Sequence, residues 1–132
     1  MLRSILLAAV LLAGSAAAAT DCTTAPDQAS MNACAVKAYE TADAELTKSV
    51  ATIVDRLKDD AAAAKQFYDS ETAWARYRDA HCTFASSGVA GGSIQPFIDA
   101  SCREALTLER SKTIAPFLNC EEGDLSCPVP AP

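Results

Sequence analysis

Residues 26–60 read PDQASMNACAVKAYETADAELTKSVATIVDRLKDD, and the fold is decided by how this stretch is read. It is rich in Ala, Glu, Lys and Leu and holds no glycine and no proline after Pro26, which is the composition of a long helix. Tyr39, Ala42, Leu46, Val50, Ile53 and Leu57 recur every three or four residues, so they form one apolar stripe that must face a core. Pro26 suits the first turn, where a missing N–H costs nothing, and Thr24 is the expected cap. The predicted helix runs from Pro26 to about Asp60.

Outward from it, a second helix is predicted from about Asp60 to Phe84, with Phe67, Trp74, Tyr77, Cys82 and Phe84 carrying the bulk of its packing. The run from Ser86 to Ser93 holds three glycines and breaks the pattern, which predicts a loop. A third helix should begin near Pro96, turn Ile98, Cys102, Ala105, Leu106, Leu108 and Ile114 to the same core, and kink or end at Pro116. No strand of credible length is predicted. Three helices with short connections pack most simply up-down-up, so the expected fold is all-α, a small disulfide-stabilised three-helix bundle with a long first helix. The tail from Glu121 holds Gly123, Pro128, Pro130 and Pro132 and is expected to be irregular, tied down only through Cys120 and Cys127.

Upstream, Met1-Leu2-Arg3, the apolar run Ile5 to Leu12 and Ala17-Ala18-Ala19 have the order of a Sec-type signal peptide, residues 1–19, cleaved near Ala19. The apolar run is shorter than the roughly 20 residues a membrane span needs. Thr20 and Asp21 separate the alanines from Cys22, which disfavours a lipid anchor. The expected product is a soluble periplasmic or secreted protein with a single domain at 20–119 and a tail at 120–132. All six cysteines (Cys22, Cys34, Cys82, Cys102, Cys120 and Cys127) follow the leader, and an even number in an exported chain predicts a full set of disulfides. Loss of Arg3 leaves ten basic against 17 acidic residues. Such a surface attracts cationic partners and repels nucleic acid.

Asp21-Cys22, Gln28, Met31-Asn32, Cys34-Ala35 and Ala42-Asp43-Ala44-Glu45-Leu46, then Trp74, Arg78-Asp79-Ala80, Cys82 and Phe84, stand in a fixed order. Gly91-Gly92-Ser93, Pro96, Cys102, Leu106-Thr107 and Arg110 continue it. From Cys22 to about Leu118 the chain resembles the LprI-like family of secreted proteins, and the resemblance implies a four-cysteine helical domain related to a lysozyme inhibitor. The chain departs from that pattern with Glu71 where glutamine is usual, Thr47 where asparagine is common, and the extra cysteines Cys120 and Cys127. If the extra pair bond to each other, the other four allow three connectivities. The pairing chosen is Cys22 with Cys34 and Cys82 with Cys102, the latter closing the glycine loop, although the sequence alone leaves the choice open.

Trp74, Arg78 and Cys82 are four apart and share a helix face with the aromatic packing, so Arg78 is expected to be partly buried. A buried guanidinium requires a carboxylate, and Asp43 or Glu45 on the first helix is the candidate; the alternative is contact with a ligand. His81 is the lone histidine and no G-x-S-x-G turn accompanies it, so nucleophilic catalysis is not expected. The scattered cysteines do not have metal-site spacing, the carboxylates read as solvated charge, and no phosphate-binding loop is present. No cofactor, no metal and no enzymatic activity are therefore expected. Ser87, Gly88, Gly91, Gly92 and Ser93 are the binding candidates, as a recognition loop on a rigid scaffold or as a plain connector. The functional expectation is an exported binding protein acting stoichiometrically on a cationic lysozyme. The alternative is a non-inhibitory envelope module that docks on another protein or on a cell-wall component.

Overall fold

The computed structural model describes residues 18–132, so the basic start and apolar run of the expected export signal lie outside the described residues. Three helices follow one another: α1 spans Gln28–Arg56, α2 spans Ala61–Ala85 and α3 spans Gln95–Ile114. Short 3-10 turns cover Ser87–Val89 and Ala115–Asn119, and no strand occurs among the described residues. None of these helices is long and apolar enough to cross a membrane.

The long first helix begins two residues later than Pro26, because Asp27 and not Thr24 caps it: the Asp27 carboxylate accepts the Ser30 N–H at 2.7 Å. It ends at Arg56, where Leu57 leaves helical geometry and the Asp60 N–H turns back to the Leu57 carbonyl at 2.9 Å. Asp60 then caps α2 by accepting the Ala63 N–H at 3.0 Å. In α3 the Pro96 ring occupies the first turn, and Pro116 converts the end of the helix into the 3-10 turn.

The order is up-down-up. α1 and α3 run parallel: Asn32 Nδ2 donates to the Ser93 carbonyl at 2.9 Å near their beginnings, and Arg56 Nη1 donates to the Leu118 carbonyl at 2.7 Å near their ends. α2 runs the other way along α3, with Cys82 bonded to Cys102 and the Phe67 ring edge-on to Phe117, centroids 6.4 Å apart. α3 is the central element: α1 packs on it along its length, α2 packs on it more loosely, and α1 and α2 meet at few points.

The main core gathers Leu46, Ile53 and Leu57 of α1 with Ile114, Cys120 and Val129, flanked by Phe67, Trp74 and Phe117. A smaller cluster of Cys22, Ala35 and Ala100 sits at the opposite end, where the Cys22–Cys34 disulfide holds the start of the chain. Three expectations about packing need correction. Tyr77 and Phe84 of α2 are exposed, at 55% and 78%, because they share a line on α2 beside the Trp74–Arg78–Cys82 face and not on it. Ala105 is also exposed, since α3 turns Ala100, Glu104, Thr107 and Ile114 inward instead. The tail is held by more than its cysteines: the Cys120–Cys127 disulfide bends the chain back so that Val129, 4% exposed, closes the end of the main core.

Candidate functional site

Arg78 and Thr107, two of the buried polar residues, lie in a seam between α2 and its neighbours. Arg78 is 8% exposed, and its Nη1 donates to Asp43 of α1 at 2.8 Å while its Nε donates to Asp79 at 3.0 Å. The Thr107 hydroxyl of α3 accepts from the same Nη1 at 3.4 Å. Glu45 points away and pairs with Lys48 in solvent. Burial alone would push the Arg78 guanidinium down, but the hydrogen bonds to Asp79 and Asp43 hold it above its ordinary value. Asp79 also accepts from Arg103 at 2.6 Å, and Arg103 in turn donates to Asp99 at 2.7 Å. The hydrogen bond to Asp99 is the main reason the Arg103 guanidinium also stays above its usual value.

Further along the seam Arg110 of α3 pairs with Glu71 and donates to the Ser70 hydroxyl at 3.0 Å. Trp74 lies between the two arginines, 5.0 Å from Arg78 and 6.0 Å from Arg110, with Tyr39 on the other side of Arg78 at 5.2 Å. The arginines of this seam are thus paired with the protein's own carboxylates, and Arg78 and Arg110 also lie over aromatic rings.

The end of the bundle where α2 passes to α3 is different. No Asp, Glu, Lys or Arg occurs between residues 80 and 98, and this uncharged cap is the exposed tip of an otherwise acidic chain. Ser87, Gly88, Gly91, Gly92 and Ser93 are all exposed here. The loop is more regular than its glycines suggest. Ser86 is buried and its hydroxyl donates to the Cys82 carbonyl at 3.0 Å, the 3-10 turn follows, and the Gly91 N–H donates to the Gln95 side chain at 2.8 Å.

Two glycines have a stated job. Gly91 adopts φ +76°, the left-handed region that strains other residues, and a Cβ on Gly92 would meet the Val89 carbonyl oxygen at 3.1 Å. Gly88 has open space around it. The Cys82–Cys102 disulfide lies at the base, so the tip is fixed to both helices that carry it.

Beside this loop stands an exposed stripe that includes Tyr77 and Phe84, two residues expected in the core. Tyr77, His81 and Phe84 follow one another at intervals of four and three on α2, and the Tyr77 and His81 rings lie tilted at 35° with centroids 5.4 Å apart. Val89 adds a partly exposed apolar side chain from the loop itself. The signal that could have found the stripe is its spacing, which is helical in its own right and offset from Trp74, Arg78 and Cys82. Glu104, buried at 4% on α3, is the second residue missed, because a lone glutamate in a helix normally reads as solvated. Among the described residues no group of His, Cys, Asp and Glu is arranged to hold a metal ion.

The family model described as "Lysozyme inhibitor LprI" matches residues 19–114, which leaves the Cys120–Cys127 disulfide beyond the matched region. An uncharacterized protein, R02472, of Rhizobium meliloti (strain 1021) is 31% identical over 113 residues, covering 77% of this chain and 81% of its own. No solved structure matches the chain.

Proposed function

Because the chain belongs to the LprI lysozyme inhibitor family, we propose that it is an exported stoichiometric inhibitor that occludes a cationic lysozyme with the tip where α2 passes to α3. One observation carries the choice of surface: Phe84 and Tyr77 stand exposed beside a loop whose base is cross-linked, on a chain whose other faces bear an excess of carboxylates. Exposed aromatics on a rigid support are the side chains that dominate binding energy at protein interfaces. The cross-link and the internal hydrogen bonds of the loop reduce the entropy lost on docking. The surrounding acidic surface steers a basic enzyme towards the protein, which gives specificity and rate more than affinity. Export places the inhibitor in the periplasm or outside the cell, where its target acts.

The test is a cell-wall lysis assay with a c-type lysozyme and the purified, oxidised protein. Inhibition should saturate near one equivalent, weaken as salt is raised, and fall at least tenfold in Phe84→Ser with the helical circular dichroism unchanged. Prior reduction of the disulfides should abolish it. Failure to inhibit at large molar excess, with the fold intact, rules out the inhibitor and leaves the non-inhibitory envelope module; full inhibition by Phe84→Ser moves the contact surface elsewhere.

A further inference from the structure

Glu104 is the most deeply placed carboxylate of the bundle, 4% exposed on the inner face of α3, and no lysine or arginine side chain among the described residues forms an ion pair with it. Its hydrogen-bond partner is the backbone nitrogen of Thr20, which donates to Oε1 at 2.8 Å across 84 residues of sequence. A buried carboxylate held by one neutral amide is poorly compensated for its lost hydration. The Cys22–Cys34 disulfide pins the chain two residues later, and Thr20, Glu104, Lys37 and Glu45 line one cleft of about 490 Å³ between α1 and α3. Of the charged side chains that α1 turns to this cleft, Lys37 makes no ion pair with Glu104 and Glu45 pairs with Lys48.

Thr20 is also the residue that follows Ala17-Ala18-Ala19, the small-residue pattern a leader peptidase reads, and Ala18, Ala19 and Thr20 are exposed and lie outside any helix. We infer that the Ala19–Thr20 bond is the processing site, and that Glu104 is the built-in seat for the amino terminus which cleavage creates. In that hydrolysis water supplies a hydroxyl to the Ala19 carbonyl and a hydrogen to the Thr20 nitrogen. The new amine then takes a proton from solvent and becomes an ammonium. The hydrogen bond already present turns from amide–carboxylate into ammonium–carboxylate, and such charge-assisted bonds are roughly twice as strong as neutral ones. Removing the leader therefore completes the fold as well as releasing the protein.

The experiment has two arms. Intact mass and amino-terminal sequencing of the protein exported by its own leader should give a chain beginning at Thr20. The oxidised Thr20-first protein should then melt about 5 °C or more above one that retains Ala18-Ala19, and Glu104→Gln should close that gap. Should Glu104→Gln fail to fold, Nα-acetylation of the Thr20-first protein supplies the same control, because it removes the charge and keeps the carboxylate. A mature start at any other residue, or equal melting temperatures for the two starts, overturns the inference.

Discussion

The closing end of the bundle and its middle are held by different forces. At the closing end Ile53 and Ile114, both fully buried, meet Leu57, Phe67, Phe117 and Val129, and any apolar side chain of suitable volume could serve there. In the middle, α2 is joined to its neighbours through Arg78, Arg103 and Arg110, each matched to named carboxylates, with Trp74 between two guanidiniums. The first region supplies stability without much demand on residue identity. The second fixes which turn of α2 lies against which turn of α3, since slipping by one turn would leave buried cations unpaired. A small, alanine-rich bundle needs both, because α2 has little apolar surface with which to find its own register.

Four changes would break or sharpen this contrast. The largest effect is expected at the apolar end, where Ile114→Ala should lower unfolding free energy by about 2–5 kcal/mol in urea melts followed by circular dichroism. Next comes the cross-link at the far end of the seam: replacing Cys82 and Cys102 together with alanine should cost about 3 kcal/mol. The same double change should speed amide exchange in residues 87–93, and unchanged exchange there would mean the loop holds itself.

Within the seam, Glu71→Gln keeps the shape and removes the charge that faces Arg110, both groups being largely shielded from solvent. It should cost about 1–2 kcal/mol and depend little on salt. The smallest effect is expected from Lys65→Ala on the outer face of α2, where Lys65 and Asp69 pair at 2.6 Å with both side chains well exposed. That pair should be worth about 0.5 kcal/mol or less and vanish in high salt. If Glu71→Gln proved as mild as Lys65→Ala, the seam would be ornamental and apolar packing alone would set the register.

The fold was legible because α1 carries an uninterrupted apolar period and because Asp60 and the glycine run punctuate the chain on either side of α2. What the sequence could not show lies where tertiary register decides. Both Asp43 and Glu45 were candidates for Arg78, and only the rotation of α1 against α2 turns Asp43 inward and leaves Glu45 beside Lys48. Tyr77 and Phe84 were misplaced because large aromatics default to the core when the helix face is judged by bulk alone. Val129 was missed for the opposite reason: a lone valine among prolines carries no period, and its burial follows from a disulfide that redirects the chain. The candidate surface was half legible, as its loop is marked by glycine while its aromatic edge is marked only by an offset stripe.

Trp74, the single indole of the chain, lies against a guanidinium on either side in the seam. Its ultraviolet emission is therefore a built-in optical gauge of one junction. A change in colour or intensity reports the parting of α2 from α3, whereas loss of ellipticity reports melting of the helices themselves. Recorded together during unfolding, the two signals separate an opened bundle from an unwound one without any dye or label.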